Sequence, residues 1–109
     1  MKAYISKSNL VNYDDLIAVR SILEKAEIET TEYHTGKYST KGIEAADLMV
    51  CISYPQAHQG DFIFVGKGIY VEITTALHEG LVVVMYDAGR FYKIKTLQRS
   101  SEGKKSFLP

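Results

Sequence analysis

Two stretches of the chain are continuously apolar, Leu48-Met49-Val50-Cys51-Ile52 and Leu81-Val82-Val83-Val84-Met85-Tyr86. Runs of that length with no polar interruption are typical of strands covered on both faces, as in parallel sheets. Two other stretches repeat on the helical period instead. Leu16, Val19, Leu23 and Ala26 share one side of a helix expected over about 13–26, with Asn12 as its cap and Asp15 three residues on to accept amide protons. Ile69, Ile73, Ala76, Leu77 and Gly80 share one side of a second helix, which Gly80 ends.

The remaining elements are shorter. Tyr4 and Ile5 anchor a first strand, Ile28 to Glu32 reads as a second, and Ile43 to Ala46 as a helical turn before the central strand Leu48 to Ile52. Tyr33 to Gly42 reads as a polar loop and Tyr54 to Gly68 as a long one, of the kind that carries binding in compact domains. Phe91 to Leu97 alternates as an edge strand does. After Gln98 the chain reads as a mobile polar tail, in which only Phe107 and Leu108 offer apolar groups for docking.

Strands alternating with helices predict an α/β fold, a small flavodoxin- or Rossmann-like three-layer domain with a mainly parallel sheet of four to five strands in the order 2-1-3-4(-5). Residues 1–98 form that domain and 99–109 the tail. In this order the sheet reverses direction between its first and third strands, and ligands of such folds bind beyond the carboxyl ends of the strands at that switch. The segments Ser6 to Asn12 and Ser53 to Gly68 both open there, so a site is expected at that place before any motif is invoked.

Composition narrows the choice of partner. A chain of 109 residues holds one core. Its 13 basic and 13 acidic residues balance, which leaves no net field to draw nucleic acid or a membrane surface; a small molecule is the expected partner. The single cysteine, Cys51, excludes a disulfide framework and suits a reducing compartment. His34, His58 and His78 have no metal-ligand spacing, and no metal or other cofactor is called for. No apolar run approaches the roughly 20 residues of a membrane span, and the chain opens on a strand rather than a signal peptide, so a cytoplasmic location is expected.

The sharpest candidate for chemistry is Glu72. On a helical wheel it lies about 80° from the centre of the apolar stripe, at the edge of the core. It is expected in the first turn, where free amides and the helix dipole favour a carboxylate. Such a group is either a nucleophile or simply a glutamate that stabilises its helix, and its position alone favours the second. Gly66 and Gly68 flank Lys67 at the entry to this helix, where backbone amides can approach a phosphate or sugar, or where the chain merely turns. Ser6, Ser8, Tyr54 and Asp61 fall on the side of the expected site and offer groups for a ribose or a base edge. Asp47 precedes the central strand, and simple topology puts it at the opposite end.

The stretch Gly68-Ile69-Tyr70-Val71-Glu72-Ile73-Thr74-Thr75-Ala76-Leu77-His78-Glu79-Gly80, followed by an apolar strand, resembles the signature of the nucleoside 2-deoxyribosyltransferase family. Ala3-Tyr4-Ile5 is similar to that family's first strand and Ala46-Asp47-Leu48-Met49-Val50 to the run carrying its central strand, so the resemblance spans most of residues 2–86. It implies cleavage or transfer of an N-glycosidic bond on a nucleoside or nucleotide, with Glu72 as nucleophile, Tyr4 beside it and Asp47 among the site residues. It also implies a homo-oligomer, since family members commonly complete their sites across subunits.

Three departures accompany it. Gly66 stands where the family usually has an aspartate handling the leaving base, with Asp61 the nearest substitute. The first loop is Ser6-Lys7-Ser8-Asn9 rather than glycine-rich, and the family's C-terminal section is not recognisable. The strand Tyr4-Ile5-Ser6 and the later glutamate helix are similar as well to TIR-type domains that cleave or bind NAD-related nucleotides. Two alternatives therefore stand beside the enzyme: a non-catalytic module that binds a nucleotide or an ADP-ribose derivative, and a scaffold presenting some of its eight tyrosines to another protein.

Overall fold

The computed structural model describes residues 1–7, 11–32, 41–52, 58–59, 62–65, 67–94, 96–99 and 105–108. The elements are β1 (Lys2–Lys7), α1 (Tyr13–Lys25), β2 (Glu29–Glu32), α2 (Lys41–Glu44), β3 (Leu48–Ile52), β4 (His58–Gln59), β5 (Phe62–Val65), α3 (Lys67–His78), β6 (Val82–Asp87), β7 (Arg90–Lys93), β8 (Thr96–Arg99) and β9 (Lys105–Leu108). The main sheet has the order β2-β1-β3-β6-β7. Its first four strands run parallel, and β7 returns antiparallel at the edge. The fold is a small Rossmann- or flavodoxin-like α/β domain, with the strand order expected from the alternation of elements.

Alternation along the strands sorts the core into two layers. Ala3, Ile5, Val50, Ile52 and Tyr86 pack against Leu16, Val19 and Leu23 of α1. On the other face Tyr4, Met49, Cys51, Val83 and Met85 pack with Ile43 and Ala46, in and just after α2, and with Ile69, Ile73 and Ala76 of α3. Because β3 has both faces covered, Met49 to Ile52 are all buried, and its sequence is accordingly apolar at every position.

Both long helices stop by the same device. The Asn12 side chain accepts from the Asp14 amide to open α1. At its end Ile28 N donates to Leu23 O at 2.9 Å and Glu27 N to Glu24 O at 2.9 Å, around a left-handed Glu27 with φ of 59°. At the end of α3, Leu81 N donates to Ala76 O at 2.9 Å and Gly80 N to Leu77 O at 3.1 Å, around Gly80 with φ of 79°. Each pair of bonds satisfies carbonyls that the helix would otherwise leave open. Ala88 and Gly89, at φ of 48° and 83°, make the two-residue turn between β6 and β7, where positive φ at both positions matches the strand twist.

The regions read as irregular contain a second sheet. Within the expected long loop Tyr54 to Gly68, β4 and β5 pair antiparallel, and β5 then pairs with β9 in a four-stranded sheet of order β4-β5-β9-β8. The expected edge strand Phe91 to Leu97 is in fact two strands in different sheets, β7 in the main sheet and β8 in the second. Residues 105–108, assigned to a mobile tail, form β9, with Ile63 opposite Phe107 and Leu97 opposite Phe107 on the other side. Val65, at the end of β5, is buried in the α3-side core, which ties the second sheet to the first.

Candidate functional site

Side chains at every second position of a strand share a face, so Tyr4 and Ser6 of β1 both project toward α3. Cys51 lies beside Ser6 in the parallel register with β3. Over them sits Glu72 of α3, whose side of the helix also carries the buried Ile69, Ile73 and Ala76. Glu72 is 7 % exposed and Ser6 wholly buried. A carboxyl, a phenol, a hydroxyl and a thiol thus meet inside an otherwise apolar layer. Ser6 and Cys51 lie in the carboxyl-terminal halves of β1 and β3, the strands between which the chain order reverses.

Burial dominates the electrostatics. It holds the Glu72 carboxyl above the ordinary 4.5, because removing a carboxylate from water disfavours the charged form. A hydrogen bond from Tyr4, the nearby Ser6 hydroxyl and the charge of Lys7 oppose that shift without cancelling it. The Cys51 thiol is pushed up strongly, first by its own burial and then by the adjacent Glu72, so it stays protonated and is no nucleophile as it stands.

The cluster is not saturated. Glu72 Oε2 and Ser6 Oγ are both buried, and among the described residues neither completes a hydrogen bond. The serine is close enough to influence both the carboxyl and the thiol, yet its hydroxyl makes no bond of ordinary length and angle. Buried polar atoms left in this state are uncommon, and each calls for an explanation. Thr31 Oγ1, beside Tyr4 in the register of β2 with β1, is a third.

The other residues singled out from the sequence fare differently. Because α3 begins at Lys67, Glu72 lies in its second turn, and the first turn holds no acidic residue. The helix dipole falls off within one turn, so it does not hold this carboxyl ionised, and the pKa moves the other way. Gly68 lies inside the first turn, and among the described residues a Cβ built there would meet nothing within 4 Å, so no close approach to them demands a glycine. Asp47 accepts from Lys2 N at 2.8 Å through Oδ2 and donates its own amide to Lys2 O at 2.8 Å. That pins it to the amino ends of β1 and β3, four residues below Ser6, or roughly 13 Å along the strand. The topological expectation for Asp47 agrees with this position, and the structure does not bring Asp47 to Glu72. Ser8, Tyr54, Asp61 and Gly66 lie outside the described residues.

One residue of the site was missed. Gly42 of α2 faces the ring of Tyr4, and a Cβ there would stand 3.0 Å from Cε2 and 3.1 Å from Cδ2. Nothing local in the sequence marks it, because the approach depends on how α2 packs on the sheet.

Among the described residues, no group of His, Cys, Asp and Glu could hold a metal ion, and no helix is long and apolar enough to cross a membrane. No family model, no curated protein and no solved structure matches this chain.

Proposed function

We propose that this protein cleaves or transfers the N-glycosidic bond of a nucleoside or nucleotide, with Glu72 as the nucleophile and Tyr4 holding its carboxyl. The observation that carries the reading is Glu72 Oε2, a buried carboxyl oxygen without a hydrogen-bond partner among the described residues, set over the switch point of the sheet beside Tyr4 and Ser6. The glycine, glutamate and alanine spacing of residues 68–80 adds the resemblance described above.

In this chemistry a Glu72 oxygen bonds to the anomeric carbon as the bond from that carbon to the base nitrogen breaks. The base leaves with the bonding pair and takes up a proton. Water or a second base then attacks the same carbon, and the carboxylate departs. Attack needs the ionised carboxylate. Burial opposes ionisation in the free protein, whereas Tyr4, Ser6 and Lys7 favour it, so activity should rise with pH on an acid limb centred above 4.5. Substrate binding has to uncover Oε2 as well. Asp47, bonded to Lys2 at the amino ends of β1 and β3, is given no step in this reading.

The test is to incubate the protein with deoxynucleosides, ribonucleosides, their monophosphates and NAD, and to follow free base by chromatography. Base should appear with at least one substrate, and Glu72→Ala should lower its rate on the order of 10³-fold or more. No release, or equal release by the variant, removes the reading. A second reading, binding of a nucleotide or ADP-ribose derivative without turnover, is favoured by the raised pKa of Glu72, since a neutral carboxyl donates a hydrogen bond rather than attacking. Calorimetry that shows affinity in the absence of base release would support it.

A further inference from the structure

We infer that Gly42 is a positioning residue for Glu72, acting through Tyr4: the missing side chain on α2 leaves the space in which the Tyr4 ring sits with its hydroxyl at the carboxyl. The inference extends the proposed reaction, but it concerns a property of the free protein.

Tyr4 is 3 % exposed and belongs to the core between the sheet and α3. Thr31 and Met49 stand on either side of it in the strand register, so it cannot swing sideways. Its third wall is α2, where the position a Cβ of Gly42 would take lies next to Cε2 and Cδ2 of the ring. A methyl group at this position would sit at 3.0 and 3.1 Å from those carbons, tighter than side chains normally pack. The ring would have to yield by a few tenths of an ångström, and α2 is held in place by the buried Ile43 and Ala46 that follow Gly42. A glycine inside a helix is otherwise unfavourable compared with alanine, and Gly42 does not adopt a positive φ that would require one. The space for the ring is what the glycine provides.

The consequence falls on Glu72. Among the described residues, the groups that act on its carboxyl are Tyr4, Ser6 and Lys7 of β1, and the carboxyl in turn acts on the Cys51 thiol of β3. Of the two hydroxyls, that of Ser6 completes no hydrogen bond, which leaves Tyr4 as the main bond favouring the carboxylate. Hydrogen bonds weaken steeply with poor alignment, so a small displacement of the ring is felt at the carboxyl.

Glu72 can be titrated by carboxyl carbon NMR in the wild type, Gly42→Ala, Tyr4→Phe and the double variant. Tyr4→Phe keeps the ring and removes the hydroxyl; it should raise the Glu72 midpoint. Gly42→Ala should raise it too, by no more than Tyr4→Phe does, and in the Tyr4→Phe background it should add nothing. A lower melting temperature for Gly42→Ala with an unmoved midpoint means that the glycine serves packing alone, and overturns the inference. So does an additive effect in the double variant. Should Gly42→Ala fail to fold, Tyr4→Phe decides, because an unchanged midpoint there breaks the link between the ring and the carboxyl. None of these readouts depends on base release, so the inference and the proposed reaction fail separately.

Discussion

The two faces of the main sheet use the same three strands for opposite ends. Toward α1, the strands present Ala3, Ile5, Val50, Ile52 and Tyr86, and Leu16, Val19 and Leu23 close over them. Toward α3, one residue along each strand, they present Tyr4, Ser6 and Cys51, and the helix places Glu72 among its apolar residues. The first face gains only from burial. The second contains oxygens buried from solvent that complete no hydrogen bond among the described residues. A fold selected for stability alone would not retain them, so the contrast itself marks where function is expected.

Truncation should therefore have unlike effects one residue apart on β1. Ile5→Ala empties a fully buried site on the α1 face and should lower the unfolding free energy by about 2–5 kcal/mol. Ser6→Ala removes a buried hydroxyl that has no partner; it should lie within about 1 kcal/mol of the wild type and on the stabilising side. Urea denaturation of both variants measures the difference. A loss for Ser6→Ala as large as that for Ile5→Ala would mean that the serine is satisfied after all.

Acidity offers a second contrast, since among these facing residues a carboxyl occurs only on the α3 side. The folded pKa of Glu72 is raised above the ordinary 4.5, so the folded state favours the neutral form. Its contribution to stability is complete below 4.5 and is lost as pH rises through the folded pKa. Relative to Glu72→Gln, which cannot ionise, the wild type should lose stability over that window and then level off. Thermal melts of the two proteins from acid to neutral pH test the sign. A difference that grows in favour of the wild type with rising pH would place the carboxylate in a favourable environment and contradict the dominance of burial.

Much of this was legible in the sequence because it is periodic. The run Leu48 to Ile52 marks β3 to the residue, and the stripe through Leu16, Val19 and Leu23 marks α1. Once Tyr4 is on β1, alternation alone puts Ser6 on the same face. The second sheet was hidden because its strands are four residues or fewer and pair across long separations, as with Ile63 and Phe107. Phe62-Ile63-Phe64-Val65 was the available signal, an apolar run between Gly60 and Gly66. Glu72 was found by its neighbours' spacing, but its pKa could not be, because the helix start decides whether the dipole reaches it and the start lies at Lys67. Asp47 shows the reverse: topology located it, and resemblance pointed elsewhere.

The helices that cover the two faces offer the smallest effect and the cleanest control. Both end in a left-handed residue with the same pair of capping bonds, yet α3 uses Gly80 and α1 uses Glu27. A side chain at φ of 59° costs on the order of 1 kcal/mol through contact of its Cβ with the following carbonyl. Glu27→Gly should therefore stabilise the protein by about that amount, and Gly80→Ala should destabilise it by a similar amount, although a Cβ at Gly80 would meet nothing within 4 Å. Because the effect is conformational and Glu27 is remote from the Glu72 cluster, neither change should move the Glu72 titration. Denaturant midpoints give the stabilities and carboxyl NMR the control. If Glu27→Gly instead lowers stability, the exposed carboxylate takes part in interactions that outweigh its backbone strain, and the α1 side of the molecule is less purely structural than its packing implies.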